Sequence, residues 1–243
     1  MRSNGAAIAY YHTSGQNAPG VLFCGGFKSD MTGVKATTLH AYCDTREQQY
    51  TRFDYQGHGA SSGEFAAGTI GEWRKDALAV FDQVAQGPQI IIGSSMGGWM
   101  ALLLALARPE RVCGLILIAP AADFTEALLW PNLTETAKRQ IETDGVWLRP
   151  SIYGDGPYPI TRTLLEDAKD HLVLNATIPF NGPVRIFHGA KDETIPFEHV
   201  QRTINAITSQ DIVVSLSKSG DHRLSTAADL DRLRAAVAEL SAL

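Results

Sequence analysis

Residues 89–107 read QIIIGSSMGGWMALLLALA: an apolar run, a serine among small residues, then a longer apolar run. Gln89–Gly93 reads as a strand, and Met96–Arg108 as a helix that Pro109 stops. Between them Gly93-Ser94-Ser95-Met96-Gly97 has the pattern G-x-S-x-G, which carries weight only in that strand-to-helix context. The reason is steric. So tight a turn strains the backbone at Ser95, and the residues two before and two after it must be small, as Gly93 and Gly97 are. The serine then projects at a helix N-terminus, where free N–H groups and the helix dipole favour negative charge. Ser95 is therefore the candidate nucleophile, and the Met96 N–H a candidate donor to a developing oxyanion. Ser94 lies outside the pattern and is expected to hydrogen-bond within the turn.

Working outward, short apolar runs alternate with longer helical stretches. Strands are expected at Pro19–Cys24, Gln49–Tyr55, Val112–Ala119, Val184–His188 and Ile212–Leu216. Helices are expected at Gly33–Thr45, Thr69–Gln86, near Phe197–Ile207, and at Thr226–Leu240. The strands are near-continuous apolar runs, which suit a parallel sheet buried on both faces. The expected class is α/β, a mostly parallel central sheet with helices on both faces. Ala7–His12 is expected to add an antiparallel edge strand.

Residues 121–179 break this rhythm with Trp130, Trp147 and several Pro and Gly residues. Two helices are expected there, near Leu133–Thr143 and Thr161–Asp170. The stretch reads as a lid inserted after the strand Val112–Ala119, folded over the carboxyl end of the sheet and without a core of its own. Trp130, Leu133 and Trp147, with Trp99 beyond the serine, are candidate linings of a substrate channel; ordinary core packing is the competing reading.

A serine hydroxyl is a poor nucleophile until a base takes its proton. Of the seven histidines, His222 in Ser219-Gly220-Asp221-His222 follows the last expected strand and comes after the candidate acid in chain order. The acid must hold the imidazole tautomer and stabilise the imidazolium. Asp192, in His188-Gly189-Ala190-Lys191-Asp192, lies directly after a strand; Asp123, after Val112–Ala119, is its rival. His58, in Gln56-Gly57-His58-Gly59, precedes the serine and reads as a structural turn residue, and His188 reads as a satisfied core residue. Cys24-Gly25-Gly26-Phe27 follows the first long strand, and the Phe27 N–H is the candidate second oxyanion donor. A histidine base must be neutral to act, so turnover is expected to fall below a pH of roughly 6–7.

Composition sets outer limits. The 243 residues are 44% hydrophobic and 19% charged, with formal net charge −5, which fits one globular domain rather than a disordered chain. No basic stripe points to nucleic acid. Cys24, Cys43 and Cys113 are too few and too widely spaced for a disulfide framework or a zinc set; all three are expected to be buried, and no metal is expected. The longest apolar run, Trp99–Ala107, is too short to span a membrane. The N-terminus has no secretory signal pattern, and the expected location is the cytoplasm, or the mitochondrion where a transit peptide has been removed.

Taken together, GSSMGG, HGAKDETIP and SGDH in this order resemble the α/β-hydrolase superfamily. RFDYQGHGASSG, EWRKDAL, GVWLRPS and GDHRL resemble, more narrowly, its palmitoyl-protein thioesterase and acyl-glucuronide esterase branch. The resemblance implies a serine hydrolase of acyl esters or thioesters that needs no cofactor. Its substrate would be a small-molecule ester or an acylated protein. The resemblance assigns nucleophile, acid and base to Ser95, Asp192 and His222, and the oxyanion donors to Phe27 and Met96. The triad alone leaves open a hydrolase of peptide or carbon–carbon bonds, and the fold alone leaves open a non-catalytic binder.

Overall fold

The computed structural model describes residues 1–3, 5–151 and 156–243. In chain order its first half holds β1 (Arg2–Ser3), β2 (Ala6–Ala7), β3 (Tyr10–Thr13), β4 (Asn17–Cys24), α1 (Val34–Thr45), β5 (Gln48–Phe53) and α2 (Ile70–Gln83). There follow β6 (Gln89–Ser94), α3 (Met96–Ala107), β7 (Val112–Ile118), α4 (Glu135–Asp144), β8 (Val146–Arg149), β9 (Tyr158–Thr161) and α5 (Arg162–Ala168). The chain ends with β10 (Val184–Gly189), α6 (Phe197–Ala206), β11 (Ile212–Ser217) and α7 (Ala227–Leu240). Seven strands form one sheet in the order β11-β10-β7-β6-β4-β5-β3. All neighbours run parallel except β3 against β5. This is the mostly parallel α/β sheet expected from the strand pattern, and it has the α/β-hydrolase architecture that the resemblance implied.

Alternate residues of the central strands face two apolar layers. Leu22, Ile91, Leu115 and Leu117 pack with Trp73 and Phe81 of α2 and Met100 and Leu104 of α3. Val21, Phe23, Ile90, Ile92, Ile116 and Ile118 pack with Leu39 of α1 and Leu233 and Val237 of α7. Burial on both faces explains why these strands read as unbroken apolar runs rather than alternating ones. Helix starts follow their caps. Thr69 accepts from the Glu72 N–H at 3.2 Å ahead of α2, and Thr226 and Asp229 form a capping box ahead of α7.

Two expectations need correction. The edge strand is β3, Tyr10–Thr13, shifted toward the C-terminus, while Ala6–Ala7 pairs instead with Arg2–Ser3. Cys113 is exposed, not buried. Gln89 pairs with Val112 and Ile90 with Gly114, so Cys113 is the extra residue of a bulge and has no place in the ladder.

Residues 121–179 carry α4, the antiparallel pair β8–β9 and α5. The hairpin was not foreseen. Helix α4 starts at Glu135 because Thr134 caps it, accepting from the Ala137 N–H at 3.2 Å. Leu129, Leu133, Ala137, Ile141, Ile160 and Leu165 bury one another in a small cluster of their own. Phe27 and Phe124 pack against both this cluster and the main core. Asp123 ties the two ends of the segment together, accepting from the Val173 N–H at 2.9 Å and the Leu174 N–H at 2.8 Å. Among the described residues no helix is long and apolar enough to cross a membrane.

Candidate active site

Ser95 stands between β6 and α3 with φ 55° and ψ −118°. That left-handed backbone is uncommon for a residue bearing a side chain. It is held by the Ser95 N–H donating to the Ile118 carbonyl at 2.8 Å and by the Ser95 carbonyl accepting from Gly98 (2.8 Å) and Ala121 (3.0 Å). The two flanking glycines are sterically required. A β-carbon at Gly93 falls 2.6 Å from the Gly97 carbonyl carbon, and one at Gly97 falls 2.7 Å from the Cys24 carbonyl carbon.

His222 lies on the loop after β11, and Asp192 on the loop after β10. His222 Nε2 is 3.2 Å from Ser95 Oγ, and His222 Nδ1 is 2.8 Å from Asp192 Oδ2. Gly189 lets the two loops meet, because a β-carbon there falls 2.5 Å from the Asp221 carbonyl oxygen. The Asp192 side chain is wholly buried. Its other oxygen accepts from the N–H groups of Thr194 (2.8 Å) and Ile195 (2.9 Å). Burial by itself pushes this carboxyl up. The His222 hydrogen bond and charge, with the two N–H donors, outweigh it and hold Asp192 below the usual carboxylate range. With Asp192 accepting at Nδ1–H, the Nε2 lone pair is directed at the serine, the arrangement a general base needs.

The rivals sit elsewhere. Asp123 spends its carboxylate on Val173 and Leu174, and burial pushes it up. His188 is buried behind Asp192, with Nδ1 4.0 Å from Oδ2 and without a hydrogen bond among the described residues, so it is not the satisfied core residue expected. Ser94 lines a cleft beside Ser95.

The Gly26–Phe27 segment passes close to the nucleophile, a β-carbon at Gly26 lying 3.4 Å from Ser95 Cβ. The Gly26 carbonyl accepts from Ser29 N–H (3.1 Å) and Ser29 Oγ (2.8 Å). In a trans peptide the N–H points opposite to the C=O, so the Phe27 N–H is turned away from Ser29. Met96 opens α3, where an N–H has no partner inside the helix. Among the described residues neither N–H is spent on a protein acceptor.

Two unlike cavities meet at Ser95 and His222. One, of about 150 Å³, is lined by Phe27, Met96, Phe124, Tyr158 and Ile195, with Arg149 beside them. The other, of about 490 Å³, is lined by Lys28, Ser29, Asp30, Lys35 and Arg223. Lys35 donates to the Arg223 carbonyl and to Ser225 Oγ, and burial pushes its amine down to about 8. The four expected channel residues do not line the apolar cavity. Trp99 is fully buried, and its Nε1–H donates to the His171 carbonyl at 2.9 Å. Trp130, Leu133 and Trp147 pack in the cluster around α4. The lining that was missed had one signal: Phe27 lies in the stretch already singled out for the oxyanion, and Lys28 directly follows it. Among the described residues no group of three or more His, Cys, Asp or Glu side chains could hold a metal.

Comparison with known proteins agrees with this picture. The family described as serine aminopeptidase, S33, matches residues 16–155. The mitochondrial palmitoyl-protein thioesterase ABHD10 of Mus musculus is 41% identical over 240 residues, covering 98% of this chain and 80% of that one. The crystal structure of a putative hydrolase from Agrobacterium vitis superposes with TM-score 0.94 at 36% identity, covering 99% of this chain and 95% of the other. The structure of mouse α/β-hydrolase domain-containing protein 10 gives TM-score 0.90 at 40% identity, covering 99% and 96%. Relatives named as mitochondrial give no support to the cytoplasmic location expected above. With the family match over residues 16–155 and relatives and structures that span nearly the whole chain in agreement, this chain belongs to the serine aminopeptidase S33 family of α/β-hydrolases and is a serine hydrolase.

Proposed function

We propose that the protein hydrolyses acyl thioesters and acyl esters through an acyl-enzyme on Ser95. The observation that carries this is the relay of 3.2 Å from Ser95 to His222 and 2.8 Å from His222 to Asp192, set at the head of α3. Ser95 Oγ attacks the acyl carbonyl carbon and its proton passes to His222 Nε2. The oxyanion forms against the N–H groups of Phe27 and Met96, and Asp192 stabilises the imidazolium. Collapse breaks the bond to the leaving group, which takes the proton from His222. Water then attacks the acyl-enzyme, with His222 again the base, and the free acid and Ser95 are released. No step calls for a cofactor.

The smaller, apolar cavity suits the acyl group, and the wider cleft, with Lys28 and Lys35 in its lining, suits the leaving group. The palmitoyl-protein thioesterase relatives support a cysteine thiol of an acylated protein as the leaving group. An acyl glucuronide fits the same division, since its carboxylate would face Lys28 and Lys35. The family description names an aminopeptidase, so peptide amides belong in the test. The experiment is a panel of thioesters and oxygen esters of graded acyl length, with aminoacyl anilides, assayed on wild type and Ser95→Ala. Wild-type turnover of the esters and thioesters, abolished in a folded Ser95→Ala, supports the proposal. Full activity in that variant, or turnover confined to the anilides, refutes it.

A further inference from the structure

The motif Gln56-Gly57-His58-Gly59 reaches the turn that carries Phe27, through His58. We propose that His58 is a positioning residue for the oxyanion hole: its Nε2 accepts the Lys28 N–H at 3.2 Å and holds the Gly26–Ser29 turn with the Phe27 N–H facing Ser95. This rests on the reading of Ser95 as nucleophile and Phe27 N–H as oxyanion donor.

The turn needs holding. Ser29 N–H closes it on the Gly26 carbonyl at 3.1 Å, which makes Phe27 and Lys28 its central residues. Lys28 occupies φ 58°, a region that favours glycine or asparagine at the third position of a turn. A residue with a β-carbon stays there only when its surroundings fix it. Here the fixing group is an imidazole 30 residues away.

The tautomer follows from the partners. His58 Nδ1 lies 3.2 Å from the Gln56 carbonyl, which can only accept, so Nδ1 carries the proton and Nε2 offers a lone pair. Burial pushes His58 down to about 4, so the ring remains neutral where the enzyme works. The ring itself is fixed by edge-to-face contacts with Tyr55 (5.6 Å), Phe65 (5.1 Å) and Trp73 (5.2 Å). Trp73 Nε1–H also donates to the Gln56 carbonyl, at 3.1 Å, which anchors the motif to α2. A second tie runs alongside. Asp54 accepts from the Met31 N–H at 2.6 Å and from the Ala60 N–H at 2.8 Å, clamping the two loops a few residues further on. That clamp fixes the loop end at Met31, while His58 alone among the described side chains fixes Lys28 N–H.

Two variants separate positioning from packing. His58→Phe keeps an aromatic ring among Tyr55, Phe65 and Trp73 but removes the acceptor. His58→Gln loses the ring but can return a carbonyl oxygen to Lys28 N–H. Turnover of p-nitrophenyl butyrate is measured per active site, counted with a fluorophosphonate probe on Ser95, together with Tm. Positioning predicts that His58→Phe loses about 10–100-fold in kcat, with KM within about twofold, because a sub-ångström shift of an oxyanion donor acts in the transition state. It predicts that His58→Gln keeps kcat within about threefold of wild type although its Tm falls. The opposite order, with His58→Phe at wild-type kcat or His58→Gln no better than His58→Phe, overturns the inference. Failure of folded wild type to label at Ser95 overturns the nucleophile reading and this one with it; normal labelling with the opposite order overturns His58 alone.

Discussion

Gly97→Ala is expected to harm catalysis more than it harms the fold. A β-carbon at residue 97 falls 2.7 Å from the Cys24 carbonyl carbon and 2.7 Å from the Gly25 carbonyl oxygen. Carbon atoms settle at about 3.5–4.0 Å, so the two segments must part by about 0.8 Å or more. Neither side is a flexible side chain: both are backbone, one at the start of α3 and one at the end of β4. Overpacking of this kind typically costs about 1–3 kcal/mol. At this chain length that lowers Tm by about 2–12 °C. The gap opens where it does most harm, because Met96 precedes Gly97 and Phe27 follows Gly25 by two residues. The two N–H groups that would share the oxyanion are driven apart, and a misplacement near 1 Å is worth about 10²-fold in rate. The assay is kcat and KM for a short p-nitrophenyl ester, normalised to titrated active sites, with Tm by calorimetry. Gly25→Ala is the control, since its β-carbon meets Ser29 Oγ at 3.3 Å, a contact relieved by a few tenths of an ångström with the Ser29 hydrogen bond kept. It should keep kcat within about threefold. If Gly97→Ala keeps wild-type kcat, the steric account of this turn is wrong.

Asp192→Asn should cost about 10⁴ in kcat with little loss of Tm. Thr194 and Ile195 N–H hold the amide oxygen, which leaves its NH₂ toward His222 Nδ1 and forces the ring proton onto Nε2, facing Ser95. A loss under about tenfold would show that another group orients the base. Asp123→Asn should lower stability by about 1–3 kcal/mol in urea unfolding, through the weakened hold on Val173 and Leu174, and leave kcat within a few-fold. A collapse of kcat at unchanged stability would make Asp123 the acid instead. For stability against pH, His58 and Asp76 act in opposite senses. His58 is held down to about 4, so its contribution is complete above about pH 6.5 and is lost as pH falls toward 4, by about 3 kcal/mol. Burial raises Asp76 to about 6, so its contribution is complete below its unfolded value near 4 and is lost, by about 3 kcal/mol, as pH rises through 6. The stability of His58→Phe relative to wild type should therefore improve between pH 7 and pH 4; a constant difference across that range would contradict the buried neutral imidazole.

What could be read from sequence divides along physical lines. The central strands were legible because burial on both faces leaves an unbroken apolar signature in Ile90–Ile92 and Leu115–Ile118. Ser95 was legible because its turn admits only small neighbours, a constraint written within five residues. The choice of Asp192 over Asp123 rested on the Ser–acid–His order together with a short path from strand to loop; what separates them in space is that His222 meets Asp192 while Asp123 is taken by the N–H donors of Val173 and Leu174, about fifty residues away and invisible to any local pattern. The β8–β9 hairpin escaped because its strands are four residues each and one holds Pro159. Trp130 and Trp147 were misplaced for a related reason. An aromatic side chain looks the same in sequence whether it lines a cavity or fills a small cluster, and only the packing of α4 against the hairpin decides. Cys113 was misread because a bulge shifts one residue out of register without changing composition.

The residues assembled around Ser95 come from the sheet, not from the insertion. Ser95, Asp192, His222 and the Phe27 turn follow the carboxyl ends of β6, β10, β11 and β4, where open α/β sheets place their ligands. Residues 121–179 add only walls, Phe124, Arg149 and Tyr158 among them. Among the contacts between the two halves, one lies beside the nucleophile, at Phe27. The Phe27 ring meets Phe65 at 5.0 Å and Trp73 at 5.6 Å on the sheet side, and Phe124 at 5.6 Å and Tyr158 at 5.8 Å on the insertion side. Its backbone N–H is the proposed oxyanion donor. A change in how residues 121–179 pack would therefore bear on the proposed oxyanion hole through a side chain that touches both, so mutating that segment alone is expected to change substrate choice and rate together. Polar anchoring of the turn at Lys28 and Ser29 opposes that coupling, since it fixes the peptide independently of where the ring settles.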